Sequence, residues 1–439
     1  MKRILIFLII LLFITILSFV WLITFDGFQI IRYRCYKIKI CSPLSQTLES
    51  PKLVSLVSFS KIFDVFYFPY LLKKSDLPVY NLKVTPKDYI EVLNSLPQPF
   101  SSYFFFNNNP VKIPATFSDG KTDIAAELSL RGLNPLHWSG EKKSWKLKLS
   151  ASQPYHEYKQ LDFNVPSDSF YYGMYLKSQV SDKLGLPSEK WHFAKLLING
   201  IDFGPYVVVE PIDQWFLERN RLANGTIFGD LDPSPDRPNL YEDLRAWKIS
   251  DPVSKSEDFS SLNIILSALK QPENEELREQ VLSLIDIENF SKWEAMAVFL
   301  NSRHQDGLHN IRLYQNPDNG KFEFIFNDIV PDILKWTINN GQSDNSILSV
   351  SYNPLVDYLL LIPEIKEKRD GILKKLATDN DFTAELWTGY DKLYQQTKRD
   401  FYDNPKEIGS NLKYDYTVFQ LKKSLKLNIT EIGEELNAE

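Results

Sequence analysis

At 439 residues, with 44% hydrophobic and 14% aromatic content, the chain is long enough for one large domain or two lobes and can bury a substantial core. Its formal net charge is −6 and its 50 basic residues are scattered without a dense stripe interleaved with aromatics, so no nucleic-acid partner is expected. With two cysteines, no CxxC pair and no His-rich run, the sequence offers no zinc pattern, and any metal is expected to be held by oxygen.

The chain begins with a nearly uninterrupted apolar run from Ile4 to Phe25, about 22 residues and long enough for a helix to span a bilayer. No small-residue cleavage site precedes Asp26, so residues 1–25 read as an uncleaved, single-pass transmembrane anchor rather than a signal peptide. Lys2 and Arg3 before the run and Arg32, Arg34, Lys37 and Lys39 after it leave the side of the membrane undecided, with the later four leaning toward a cytosolic domain in a bacterial source. Residues 26–85 then read as a membrane-proximal segment, in which Cys35 and Cys41 are either a small disulfide loop or free thiols.

A sheet-rich lobe is predicted over 86–215. VKIPATF, the turn SDGK, IAAELSLRG and SWKLKLS alternate as strands of a small antiparallel sheet, Phe170 to Leu184 reads as a helix closed by Gly185, and a hairpin turns at Asn199 and Gly200. From 216 to 439 the pattern is largely helical, with Asp286 capping a helix from Ile287 to Leu300 whose inner face carries Phe290, Trp293, Ala297 and Leu300. The sequons at Asn224 and Asn428 are what chance supplies in an Asn-rich chain.

HQDGLHNIRLYQNPDNGKFEFIFNDIVPD, residues 304–332, carries most of the chemistry. Asn310 to Gln315 and Lys321 to Phe326 alternate as two strands around a five-residue turn, Asn316 to Gly320. With Gln315 facing Lys321, Asp328 falls opposite Leu308, between Asp306 and Asn310. Strands about 4.8 Å apart, rising about 3.4 Å per residue, would then bring two carboxylates and an amide within several ångströms. Such a convergence suits a hard Mg²⁺ or Mn²⁺ whose shell phosphate oxygens complete. The same spacing equally suits acids that merely end strands.

SLRGLNPLHWSGEKKSWKLKL, INGIDFGPYVVVEPID, DGLHNIRLYQNPDNGKFEFIFND and NPLVDYLLLIPEIKEKR resemble, in order over roughly residues 110–430, the spore-coat CotH family of atypical protein kinases. The resemblance implies an α+β, divergent two-lobed protein-kinase-like fold with ATP between the lobes, here preceded by the transmembrane helix, and transfer of the γ-phosphoryl group to serine or threonine of a protein substrate. It further implies that Asp306 orients or deprotonates the substrate hydroxyl and that Asn310 and Asp328 hold Mg²⁺ or Mn²⁺. Arg131, Gly132, Lys142 and Lys143 stand where the first lobe would cradle phosphates, unless they form a solvated strand end. Glu210, at the junction, either sets a contact near the adenine or pairs with a neighbouring base, and His304 and His309 flank the site without a role.

The chain departs from the family in two places. Asn327, Asp328, Ile329 and Val330 stand where the family usually has Trp-Asp-Leu-Asp, so the second carboxylate is missing, with Asp332 as a candidate replacement. Three residues separate Asp306 from Asn310, one fewer than the four common in protein kinases. An inactive scaffold or binding module, or transfer of AMP or glutamate on the same fold, therefore stand as alternatives.

Overall fold

Short alternating stretches, each apolar on one face, build most of the first half of the molecule. The computed structural model describes residues 6, 10–16, 18, 58–96, 110–132, 137–138, 140–150, 152–156, 158–231, 238–250, 258–331, 348, 353–404, 406–407 and 409–438. Strands β1 (Val79–Lys83), β2 (Lys112–Ser118), β3 (Asp123–Leu130), β4 (Trp145–Leu149), β5 (Gln160–Asn164), β6 (Trp191–Ile198) and β7 (Ile201–Val209) form a closed barrel in the order β1-β2-β3-β4-β5-β7-β6. Alternate residues of these strands, among them Leu82, Phe117, Leu128, Trp145, Leu147, Phe163, Leu196 and Tyr206, fill its core.

Local chemistry fixes the turns. Asp119 Oδ1 accepts from the amides of Lys121 and Thr122 at 2.9 and 2.8 Å, folding the β2–β3 turn. Asn199 and Gly200 both take positive φ, 52° and 80°, as a tight hairpin turn requires. Asn199 Oδ1 also accepts from Val84 N at 2.8 Å, which ties β1 to the β6–β7 turn.

The barrel corrects the expected fold. Alternation over 111–149 reads as a small antiparallel sheet, but β1 pairs in parallel with β6, Val79 with Lys195 through Leu82 with Ile198, and closes a barrel. That contact joins segments 115 positions apart at Val84 and Asn199, a separation that no local pattern reveals. The segment read as membrane-proximal contributes β1 and a helical stretch, Ser58–Tyr67, anchored where Asp64 accepts from Asn411 N and Tyr67 donates to Asp415, at 2.8 and 2.9 Å.

The transmembrane helix is also corrected: no helix among the described residues is long and apolar enough to cross a membrane, and the single-pass membrane location drawn from it falls with it. Most of 1–25, together with Cys35, Cys41 and Asp332, lies outside the described residues.

Helix α1 (Pro86–Asn94) follows β1, and α2 (Gly173–Leu184) stops at Gly185, whose φ of 67° ends the helix as the sequence suggests. Strand β7 is buried on both faces: Val208 belongs to the barrel core, while Val207 and Val209 pack with Leu176 and Val180 of α2 in the larger core. This strand joins the barrel to the helical part.

Beyond it, α3 (Gln214–Arg219) precedes a second sheet, in which the expected hairpin is joined by two strands the sequence reading lacks. It comprises β8 (Thr226–Asp230), β9 (Trp247–Ile249), β10 (Arg312–Gln315) and β11 (Phe322–Phe324) in the order β11-β10-β8-β9. Helices α4 (Ser260–Lys270), α5 (Glu275–Leu284) and α6 (Ile287–Phe299) intervene. Phe290 and Trp293 of α6 pack on Phe324, centroids 5.2 and 5.1 Å apart, while Phe216 and Leu217 of α3 cover Ile227, Tyr314 and Ile325. Asp286 caps α6 through Asn289 N at 2.9 Å, as expected from the sequence.

Helices α7 (Pro354–Leu360), α8 (Pro363–Thr378), α9 (Asn380–Tyr402) and α10 (Asn411–Ala438) complete the helical part. Asn428 of α10 is buried and donates to the carbonyls of Val298 and Phe299, so its sequon is part of the core.

Candidate active site

The β10–β11 hairpin is shifted by one residue from the expected pairing. Gln315 pairs with Phe322, and Asn316 N donates to Lys321 O at 2.8 Å, which closes a four-residue turn, Pro317 to Gly320. Regular pairing stops at Leu313 and Phe324, with one further bond from Ile325 N to Arg312 O. The polar residues therefore meet through two loops beyond the ladder, 301–311 after α6 and 325–331 after β11.

The two loops are pinned to each other. Ser302 bridges to Pro331 and its Oγ accepts from Val330 N at 3.2 Å, while Gln305 Nε2 donates to the carbonyls of Asn327 and Asp328. Asp230, at the end of β8, accepts from Asn310 N at 3.1 Å and forms an ion pair with Arg312, fixing the start of β10. Asn310 and Asp328 both hold left-handed backbone, φ 66° and 47°. Asn and Asp tolerate that conformation better than other non-glycine residues, and strain of this kind persists where surrounding structure imposes it.

These constraints bring Asn310 and Asp328 together, with Nδ2 3.3 Å from Asp328 Oδ2. The same oxygen lies 3.2 Å from His304 Nε2. Burial pushes the Asp328 carboxyl up, but the hydrogen bond and charge of His304 and the charges of Arg131 and His137 outweigh it and hold the group well below the usual carboxylate range. Arg131 follows β3 and His137 lies on the loop toward β4, so charge from the first half of the molecule acts on the acid of the helical part.

Asp306 is held differently. Its Oδ1 accepts from the amides of Leu308 and His309 at 2.7 and 2.9 Å and lies 2.9 Å from His309 Nδ1. Burial pushes this carboxyl up too, but His309 and the two amides hold it below its ordinary value. The His309 ring meets His304 edge to face, centroids 4.7 Å apart. Asp306, His309, His304 and Asp328 thus form a continuous chain linking the two acids. Sequence reasoning left both histidines without a role and missed His137; the signal for His304 and His309 was their spacing of two and three residues from Asp306.

The predicted phosphate-cradling residues separate into two groups. Arg131 Nε donates to Asp162 Oδ2 at 2.8 Å and Nη1 to Asn164 Oδ1 at 2.6 Å, which fixes the guanidinium at the barrel rim. Gly132 has φ 85°, and a Cβ there would lie 2.2 Å from the His137 ring, so glycine lets the loop fold back on itself. Lys142 turns inward instead. It donates to Pro205 O, lies 3.7 Å from Glu407 and sits 4.7 Å from the Tyr206 ring centroid; burial lowers its pKa to about 8. Lys143 donates to the carbonyls of Trp138 and Gly140 at 2.8 and 2.7 Å, and burial lowers it likewise to about 8.

Glu210, at the end of β7, accepts from Lys190 N and forms a two-pronged ion pair with Arg219 of α3. Burial pushes its carboxyl up to about 7 against those bonds. Of the two roles the sequence left open, local pairing is the contact present.

Among the described residues no group of three or more His, Cys, Asp or Glu side chains forms a metal site on its own. One carboxylate, one amide and an adjacent imidazole, all within 3.3 Å of Asp328 Oδ2, nevertheless fit a divalent cation whose remaining ligands are phosphate oxygens and water.

The family model described as CotH kinase protein matches residues 129–429 of the chain. Inner spore coat protein H of Bacillus subtilis (strain 168) is 24% identical over 260 residues, covering 57% of this chain and 68% of that protein. A solved complex of HipA, HipB and operator DNA from the Shewanella oneidensis MR-1 toxin–antitoxin system aligns with 82% of this chain and 74% of that one, at 12% identity and a TM-score of 0.32, too loose a likeness to carry a conclusion. With the family model spanning more than half of the sequence, the chain belongs to the CotH kinase protein family and is a kinase-like protein.

Proposed function

We propose that the protein transfers the γ-phosphoryl group of ATP to a serine or threonine hydroxyl of a protein substrate, with Mg²⁺ or Mn²⁺ held at Asp328 and Asn310. The observation that carries this reading is the meeting of Asn310 and Asp328, with Nδ2 3.3 Å from Oδ2, on two loops pinned together by Ser302 and Gln305. Phosphoryl transfer demands in-line positioning and neutralised charge more than covalent chemistry, and a metal-holding carboxylate together with the Arg131 guanidinium would supply both.

Each residue has a distinct task in this reading. Arg131, braced by Asp162 and Asn164, presents a fixed guanidinium to phosphate oxygens. Asp306 has Oδ1 committed to its own loop and to His309, which leaves Oδ2 to orient the substrate hydroxyl and accept its proton. The hydroxyl oxygen bonds to the γ-phosphorus as the bond to the β–γ bridging oxygen breaks and ADP leaves. The divalent cation, when bound, neutralises charge on the phosphates.

The test is incubation of the purified protein with γ-labelled ATP, Mg²⁺ or Mn²⁺ and a generic protein substrate. Metal-dependent labelling of the substrate or of the protein itself is expected. Folded protein that binds no nucleotide by calorimetry contradicts the proposal and supports a scaffold.

A further inference from the structure

The contact between His304 and Asp328 has a second meaning once a cation is placed at Asp328. Two ligands bound side by side to an octahedral cation at about 2.1–2.2 Å lie about 3.0 Å apart. His304 Nε2 stands 3.2 Å from Asp328 Oδ2, and the Asn310 amide stands 3.3 Å from the same oxygen. Both separations are close to an octahedral edge. A half-turn of the Asn310 amide would present its oxygen where the nitrogen now lies, an exchange that leaves the shape of the side chain unchanged.

The ring of His304 is also oriented from behind. It packs edge to face on His309, whose Nδ1 is bound to Asp306, and Gln305, next in sequence, ties the loop to the carbonyls of Asn327 and Asp328. Downstream of Asp328, Ile329 and Val330 bring no further acid.

We infer that His304 is a nitrogen ligand of the metal site, joining Asp328 and Asn310 in a donor set that favours transition cations such as Mn²⁺ over Mg²⁺. An imidazole suits borderline first-row metals, whereas Mg²⁺ prefers oxygen ligands and gives up water reluctantly. The inference rests on the phosphoryl-transfer reading for the location of the metal, but its test reads the metal and not the reaction.

The test uses the full chain loaded with Mn²⁺, alone and with ATP, and reads electron spin echo modulation from a directly bound imidazole nitrogen. That modulation is expected in the parent protein and in His309→Gln, and lost in His304→Gln, whose Mn²⁺ affinity falls roughly tenfold. His304→Asp, which supplies oxygen instead, should lower the Mn²⁺-to-Mg²⁺ affinity ratio about tenfold, measured by competition. Mn²⁺ that binds only when Asp328 is intact but shows no nitrogen modulation, or an unchanged metal ratio in His304→Asp, overturns this inference and leaves the phosphoryl-transfer reading standing. A folded protein with no saturable Mn²⁺ binding, with or without ATP, overturns both.

Discussion

Arg131 stands at one end of the loop between β3 and β4 and Lys142 and Lys143 at the other, and the two ends use their positive charge in opposite directions. Arg131 is braced by Asp162 and Asn164, and its charge reaches Asp328 in the other half of the molecule. Lys142 and Lys143 spend their donors on carbonyls of Pro205, Trp138 and Gly140 and are buried. Equal formal charge thus yields an anion-facing group at one end and internal hydrogen-bond donors at the other. What decides between them is the partner that fixes the stem: carboxylate and amide hold the guanidinium at the rim, while carbonyls enclose the ammonium groups inside.

The sharpest way to break this contrast is Arg131→Met. Removing the cation opposite Asp328 should lower transfer roughly 100-fold, with the KM for ATP raised, as expected for a lost electrostatic contact to the transferring group. Steady-state kinetics on the variant check this, and parent-like values would move Arg131 to a structural role. Next comes Lys143→Met, which leaves the carbonyls of Trp138 and Gly140 without their donor. The expected loss is about 1–3 kcal/mol of stability by denaturant titration, with kcat changed less than threefold. A larger fall in kcat with intact stability would place Lys143 at the phosphates after all.

A further effect is on pH dependence. Lys142 has its pKa lowered from 10.5 to about 8 by burial, so the folded state binds fewer protons than the unfolded state between those values. The penalty of burying its charge is therefore fully present below about pH 8 and relieved as pH rises toward 10.5. Relative to Lys142→Met, the parent should gain stability over that window, by at most about 1.4 kcal/mol per pH unit, and show no change in the difference between pH 6 and 7. Urea titrations across pH 6–10 measure it, and a difference independent of pH would mean the ammonium is not desolvated.

The sequence exposed features that depend on neighbours in the chain. The Asp286 cap, the stop at Gly185, the Asn199–Gly200 turn and the alternation of β2, β3 and β4 are all local, and each stands where its residues indicate. The convergence of Asn310 and Asp328 was legible for the same reason, although the true turn is one residue shorter and Asp306 joins them through two histidines rather than across a ladder. Closure of the barrel depends on β1 meeting β6 in parallel, and the second sheet depends on β8 lying between β9 and β10. Such pairings between distant segments leave no periodic trace. The apolar run at the start of the chain fitted a bilayer by length and composition, yet among the described residues no helix long and apolar enough to cross a membrane is present. Nor does sequence reveal which way a lysine turns, since Lys142 and Lys143 precede β4 as naturally at a rim as in an interior.

The central claim is that Asp328 serves the metal and nucleotide while Asp306 serves the substrate hydroxyl. Titration of Asp328→Ala and Asp306→Ala with ATP, with and without Mn²⁺, tests it most directly when paired with turnover of both variants. Asp328→Ala should lose the tightening of ATP binding that Mn²⁺ brings, and Asp306→Ala should keep ATP affinity within about twofold of the parent while transfer falls at least roughly 100-fold. Two variants that bind ATP and turn over like the parent would contradict the account and make the paired loops structural.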